Sequence, residues 1–71
     1  MTEKTLTEDI SYFIAFCNEM YKNAHSLTGK TVSRIFTRCG IMKYLADNYD
    51  VLHTQSPNWI LEEIDDLIKT T

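Results

Sequence analysis

The chain has 71 residues, a net charge of −3 and two cysteines, which bounds it to one domain whose single core supplies only about 3–5 kcal/mol of net stability. No apolar run approaches the ~20 residues of a membrane span, and the acidic start MTEKTLTEDI lacks a basic, apolar leader. No Cys/His spacing resembles a zinc site, so the expectation is a cytoplasmic protein without a cofactor.

Thr5-Leu6-Thr7-Glu8 reads as a capping box that opens the first helix, with Glu8 and Asp9 favourable at the positive end of the helix dipole. Ile10, Phe13, Ile14, Cys17, Met20, Tyr21 and Ala24 recur at spacings of three and four, the stripe of an amphipathic helix running to about His25. Tyr12 and Phe16 widen that stripe and suggest cover on more than one side. His25-Ser26-Leu27-Thr28-Gly29 is a break, with Ser26 and Thr28 both candidate N-caps for the next helix.

Val32, Ile35, Phe36 and Cys39 follow the i, i+3, i+4, i+7 pattern of a second, short helix, and Gly40 stands where a left-handed C′ residue is needed. Ile41, Tyr44 and Leu45 make a third helical face. Ser56 and Pro57 start the last helix, a hydroxyl at the N-cap and a proline in the first turn. Ile60, Leu61, Ile64, Leu67 and Ile68 form its apolar face, and Glu62, Glu63, Asp65 and Asp66 its wet one. The fold expected is an all-α bundle of about four helices, a single domain over residues 1–71.

Between the third helix and the last lies Tyr49-Asp50-Val51-Leu52-His53-Thr54-Gln55-Ser56, then Pro57-Asn58-Trp59. A connection this apolar is expected to be irregular and buried, with Tyr49, Val51, Leu52 and Trp59 packed against the first and last helices. Asp50, His53 and Thr54 belong to the same structural motif.

Candidate chemistry is sparse. His53 with a cysteine would suggest nucleophilic catalysis, but that needs a thiolate in an electropositive, partly open site, and Cys17 and Cys39 are spaced like core residues. His53 is better read as pairing with backbone groups of the irregular segment. The two thiols are expected to be reduced and buried, although a Cys17–Cys39 disulfide remains open on sequence alone. The acids of the last helix lack calcium-loop spacing. No catalytic, cofactor-binding or metal-binding residue is assigned, and the expectation is a non-enzymatic protein.

Charge is strongly partitioned. Residues 1–19 carry four acids against Lys4; residues 20–46 hold five basic residues and no acid; residues 47–71 carry six acids against Lys69. Lys30, Arg34 and Arg38 form an i, i+4, i+8 line on the second helix. Such a line suits phosphate, and T-G-K-T-V-S-R-I-F resembles part of a helix-turn-helix, but a pI near 5.1 argues against a nucleic-acid partner. The other reading is that the line answers acidic groups, within the chain or on another protein. Tyr12 and Phe16 would supply apolar surface to the contact, in a homo- or heterodimer.

F-C-N-E-M-Y, T-G-K-T-V, G-I-M-K-Y-L and above all Y-D-V-L-H-T-Q-S followed by W-I-L-E-E-I-D resemble an uncharacterised family of short bacterial helical proteins, a domain of unknown function. The likeness covers about Ile10 to Ile68. It implies a small helical protein with no assigned activity. In some genomes such proteins stand beside ADP-ribosyltransferase-like proteins of toxin type, so it also implies an accessory or antitoxin-like partner. It transfers no catalytic residue. The sequence therefore reads as a protein–protein interaction module, with a DNA-binding regulator using the basic helix as the alternative.

Overall fold

The computed structural model describes residues 2–70, with side chains from Glu8 onward, and among these it contains five helices and no strand. The first, α1 (Thr2–His25), has 24 residues. At 1.5 Å per residue it spans about 36 Å, which matches the long extent of the molecule, 36 × 22 × 20 Å. The backbone is already helical at Thr5, so Thr5 is not the N-cap. The side-chain half of the expected capping box lies outside the described residues.

Helix α1 ends as a Schellman motif. Ser26 takes φ 54°, and the Leu27 N–H donates to the Lys22 carbonyl at 3.0 Å, the 6→1 bond of that motif. Ser26 is thus the C′ residue of α1, and Thr28 alone caps α2 (Gly29–Arg38), its side chain accepting from the Thr31 N–H. Gly40 follows α2 at the left-handed φ of 69° that the sequence suggested and leads directly into α3 (Ile41–Asp47). These two left-handed positions carry opposite residues, so opposite substitutions are informative. Ser26→Gly is expected to stabilise, and Gly40→Ala to destabilise, each by about 1 kcal/mol in urea melts.

The connection before the last helix departs from expectation. Tyr49–Leu52 forms a one-turn helix, α4, which makes the bundle five-helical. A single turn points neighbouring residues in different directions. Leu52 enters the core, Tyr49 is half-buried with its ring edge-on to Phe13 at 5.4 Å, and Val51 is 59% exposed. Trp59 is 39% exposed. The segment is therefore neither irregular nor buried as a whole, and Leu52 is its one core residue.

Helix α5 (Pro57–Lys69) starts as predicted, with Pro57 in the first turn and the Ser56 hydroxyl accepting from the Trp59 N–H at 3.2 Å. It packs on α1, as do α2 and α3. The core they enclose is Cys17, Tyr21, Val32, Phe36, Ile41, Leu45, Leu52, Ile60 and Ile64. Both cysteines are free thiols, Cys17 buried and Cys39 half-buried.

Burial pushes the Cys17 thiol from 9.0 up to about 12. The unfolded chain therefore loses this proton first. The stability tied to it is intact below about pH 9 and falls by up to about 1.4 kcal/mol per pH unit as pH rises toward 12. Urea melts at pH 7, 9 and 10.5 should show that slope, and Cys17→Ala should flatten it. An equal slope in both proteins would mean that Cys17 is not its source.

Candidate interaction surface

Helix α2 buries Val32 and Phe36 and turns its other side outward. With the apolar residues fixing the rotation, Lys30, Arg34 and Arg38 must all stand in solvent, and all three are exposed. Successive members are about 6 Å apart along the axis, four residues at 1.5 Å each. The two other cations of the central stretch are satisfied locally. Lys22 pairs with Glu19 at 3.0 Å and Lys43 with Asp47 at 2.8 Å. Among the described residues, Lys30, Arg34 and Arg38 make no ion pair.

The acids of α5 divide into two sets. Asp65 lies 3.2 Å from His25 Nε2, and Glu63 accepts from the Tyr44 hydroxyl at 3.3 Å. Both phenols at these contacts are held above their usual ionisation range. For Tyr44 the causes are burial and then Glu63; for Tyr21, which packs on His25 at 4.2 Å, they are burial and then Asp65. Glu63 and Asp65 thereby join α5 to α3 and α1. Glu62 and Asp66, at i, i+4, are exposed and make no ion pair among the described residues. Of the pairings the sequence left open, the one between the basic line and the acidic face within one chain does not form there.

Apolar surface is also exposed on α1: Tyr12 is 76% and Phe16 49% exposed. Beside Tyr12 an open groove of about 520 Å³ runs between α1 and α2, lined by Ser11, Ile14, Ala15 and Glu19 on one side and by Gly29 and Ser33 on the other. Asn18 Nδ2 donates to Ser33 Oγ at 3.2 Å across it. Lys30 and Arg34 directly follow Gly29 and Ser33, about 100° further round α2, and do not line it. Nothing in the sequence periodicity marked this groove, because it forms from small residues on two helices meeting at an angle.

The central motif is structural in its contacts. The exposed His53 ring stacks on Tyr49 at 4.4 Å, and its Nδ1–H donates to the Tyr49 carbonyl at 2.6 Å. The Thr54 hydroxyl donates to the Val51 carbonyl at 2.7 Å. His53 and Thr54 thus close the last turn of α4, their side chains adding to the backbone N–H groups of the same two residues on the Tyr49 and Val51 carbonyls. Asp50 is exposed in the first turn of α4, favourable for a carboxylate. Among the described residues no three His, Cys, Asp or Glu side chains are grouped as a metal site would require, and no helix is long and apolar enough to cross a membrane.

No curated protein and no solved structure matches the chain. A family model does: the model of DUF3791, described as a protein of unknown function, matches residues 12–71. That range holds α2 to α5 whole and most of α1, and the chain belongs to the DUF3791 family.

Proposed function

We propose that this chain is a non-enzymatic protein-binding module of the bacterial cytoplasm that engages its partner chiefly through the outer face of α2. The observation that carries the reading is the line Lys30, Arg34 and Arg38, exposed and without an ionic partner among the described residues. Three like charges held about 6 Å apart on a rigid helix repel one another. An acidic protein surface would relieve that repulsion and be steered to the site. The resemblance of Y-D-V-L-H-T and its flanking motifs extends the reading to an accessory or antitoxin-like partner of an ADP-ribosyltransferase-like protein.

The DNA-binding alternative would use the same cations, but it must bring a chain of net charge −3 to a polyanion. A salt-sensitive gel shift on DNA from the protein's own promoter region would favour that alternative.

Affinity capture from the source cell, with the native chain and with K30E/R34E/R38E as baits, tests the module directly. A partner retained in stoichiometric amount by the native bait and absent from the variant is the expected result. Identical captures with both baits would remove α2 from the interface.

A further inference from the structure

Resting on the protein-binding reading, we infer that the partner seated on the α2 line is a second copy of this chain, docked through the exposed aromatic strip of its α1. Two features stand outside the packing of the fold. Three cations have no ionic partner among the described residues, and two aromatic rings of α1 are left in solvent. On α1, Glu8, Tyr12 and Phe16 fall at i, i+4 and i+8, and all three are exposed. Glu8 also makes no ion pair among the described residues. On α2, Lys30, Arg34 and Arg38 repeat the same spacing. Each line is about 12 Å long, eight residues at 1.5 Å each.

Rows of residues four apart are inclined by about 26° to their helix axis, so two such rows run side by side when the helices cross at about 50°, the commonest crossing in globular proteins. In that crossing the middle cation, Arg34, lies over the middle of the strip, the Tyr12 ring. With the helices running the same way, Lys30 meets Glu8 and Arg38 meets Phe16. Both guanidinium groups then gain an aromatic face, a stacking that suits arginine better than lysine. The contact gives the cations one carboxylate and two negative ring faces, and it removes both rings from water. It also sets the acidic residues 1–19 of one copy against the basic residues 20–46 of the other. Its small size places it among weak, transient interfaces, so association should be concentration- and salt-dependent.

Sedimentation of the full chain from about 10 µM to about 1 mM, in about 50 mM salt, should show the mass rising above that of the 8.3 kDa monomer. About 500 mM salt should weaken the association. Over the same concentration range the side-chain methylene protons of Arg34 should move upfield in NMR spectra, because the face of an aromatic ring shields them. A sample mixing labelled and unlabelled chains should show an intermolecular Overhauser contact between Arg34 and Tyr12.

Y12A/F16A and K30A/R34A/R38A should each weaken self-association at least about tenfold. An equimolar mixture of the two holds one intact copy of each face and should associate more tightly than either variant alone. Tyr12→Ala by itself, at a position 76% exposed, should weaken association while leaving the urea melt unchanged, which separates a lost contact from a lost fold. A constant monomer mass across the range, or Tyr12→Ala and Y12A/F16A chains that associate like the native one, would overturn the proposal. A monomer whose capture experiment still retains a partner would assign the α2 line to a different protein. In that case the second-copy docking fails while the protein-binding reading stands.

Discussion

Phe36→Ala is expected to leave most of the protein unfolded at room temperature. Phe36 is fully buried in the last turn of α2, with its ring 5.6 Å from that of Tyr21 on α1. Among the described residues it belongs to a core of nine drawn from all five helices. Truncating a buried phenylalanine removes its transfer free energy and leaves a cavity that the fold refills only in part, a loss of about 3–5 kcal/mol. That is about the net stability expected of a domain this small. Far-UV circular dichroism of the variant should therefore show lost helix, and a urea melt should lack a native baseline. A native-like melt would mean that the α1–α2 core is not the main source of cohesion.

Leu52→Ala is expected to cost about 2–4 kcal/mol by the same cavity argument, while Val51→Ala should cost less than about 0.5 kcal/mol, as exposed substitutions do. The contrast matters more than either value. The two residues are adjacent, similar in chemistry and part of the same four-residue helix, yet Leu52 is 1% and Val51 59% exposed. Equal losses in urea melts would mean that α4 is rotated from the orientation described, or that the whole segment is buried.

The elements that sequence chemistry located well are those specified by a local side-chain-to-backbone bond or a special φ. Thr28 before Gly29, Ser56 before Pro57 and Gly40 after Cys39 each satisfy or relieve the backbone within a few residues, so their roles are legible in a short window. Ser26 is ambiguous in the sequence because a serine suits an N-cap far better than a left-handed C′ position. Only the return of the Leu27 N–H to Lys22 decides between the two.

The segment from Tyr49 to Leu52 departs from its expected burial for a different reason. Four residues are too few to show a period, so the apolar cluster reads as uniformly buried, whereas one turn of helix divides it between core and solvent. The exposure of Trp59 follows similarly. With Ile60 and Ile64 fixing the rotation of α5, the residue before Ile60 lies about 100° around the helix.

The surface was only half legible. The i, i+4, i+8 spacing of Lys30, Arg34 and Arg38 placed them together on one face. Which acids they do not meet depends on tertiary packing. Asp65 is occupied by His25, forty residues earlier in the chain, and Glu63 by Tyr44. No local pattern marks such pairs, and the groove between α1 and α2 is in the same position.

The central claim is that the basic line of α2 is spare for folding and serves a contact outside the chain. A urea melt of K30A/R34A/R38A tests it most directly. Exposed cations without ionic partners contribute little, and alanine is the better helix former. The midpoint should therefore remain within about 1 kcal/mol of the native value even though the captured partner is lost. A loss above about 2 kcal/mol would show that the three cations brace the fold itself, and would contradict the account.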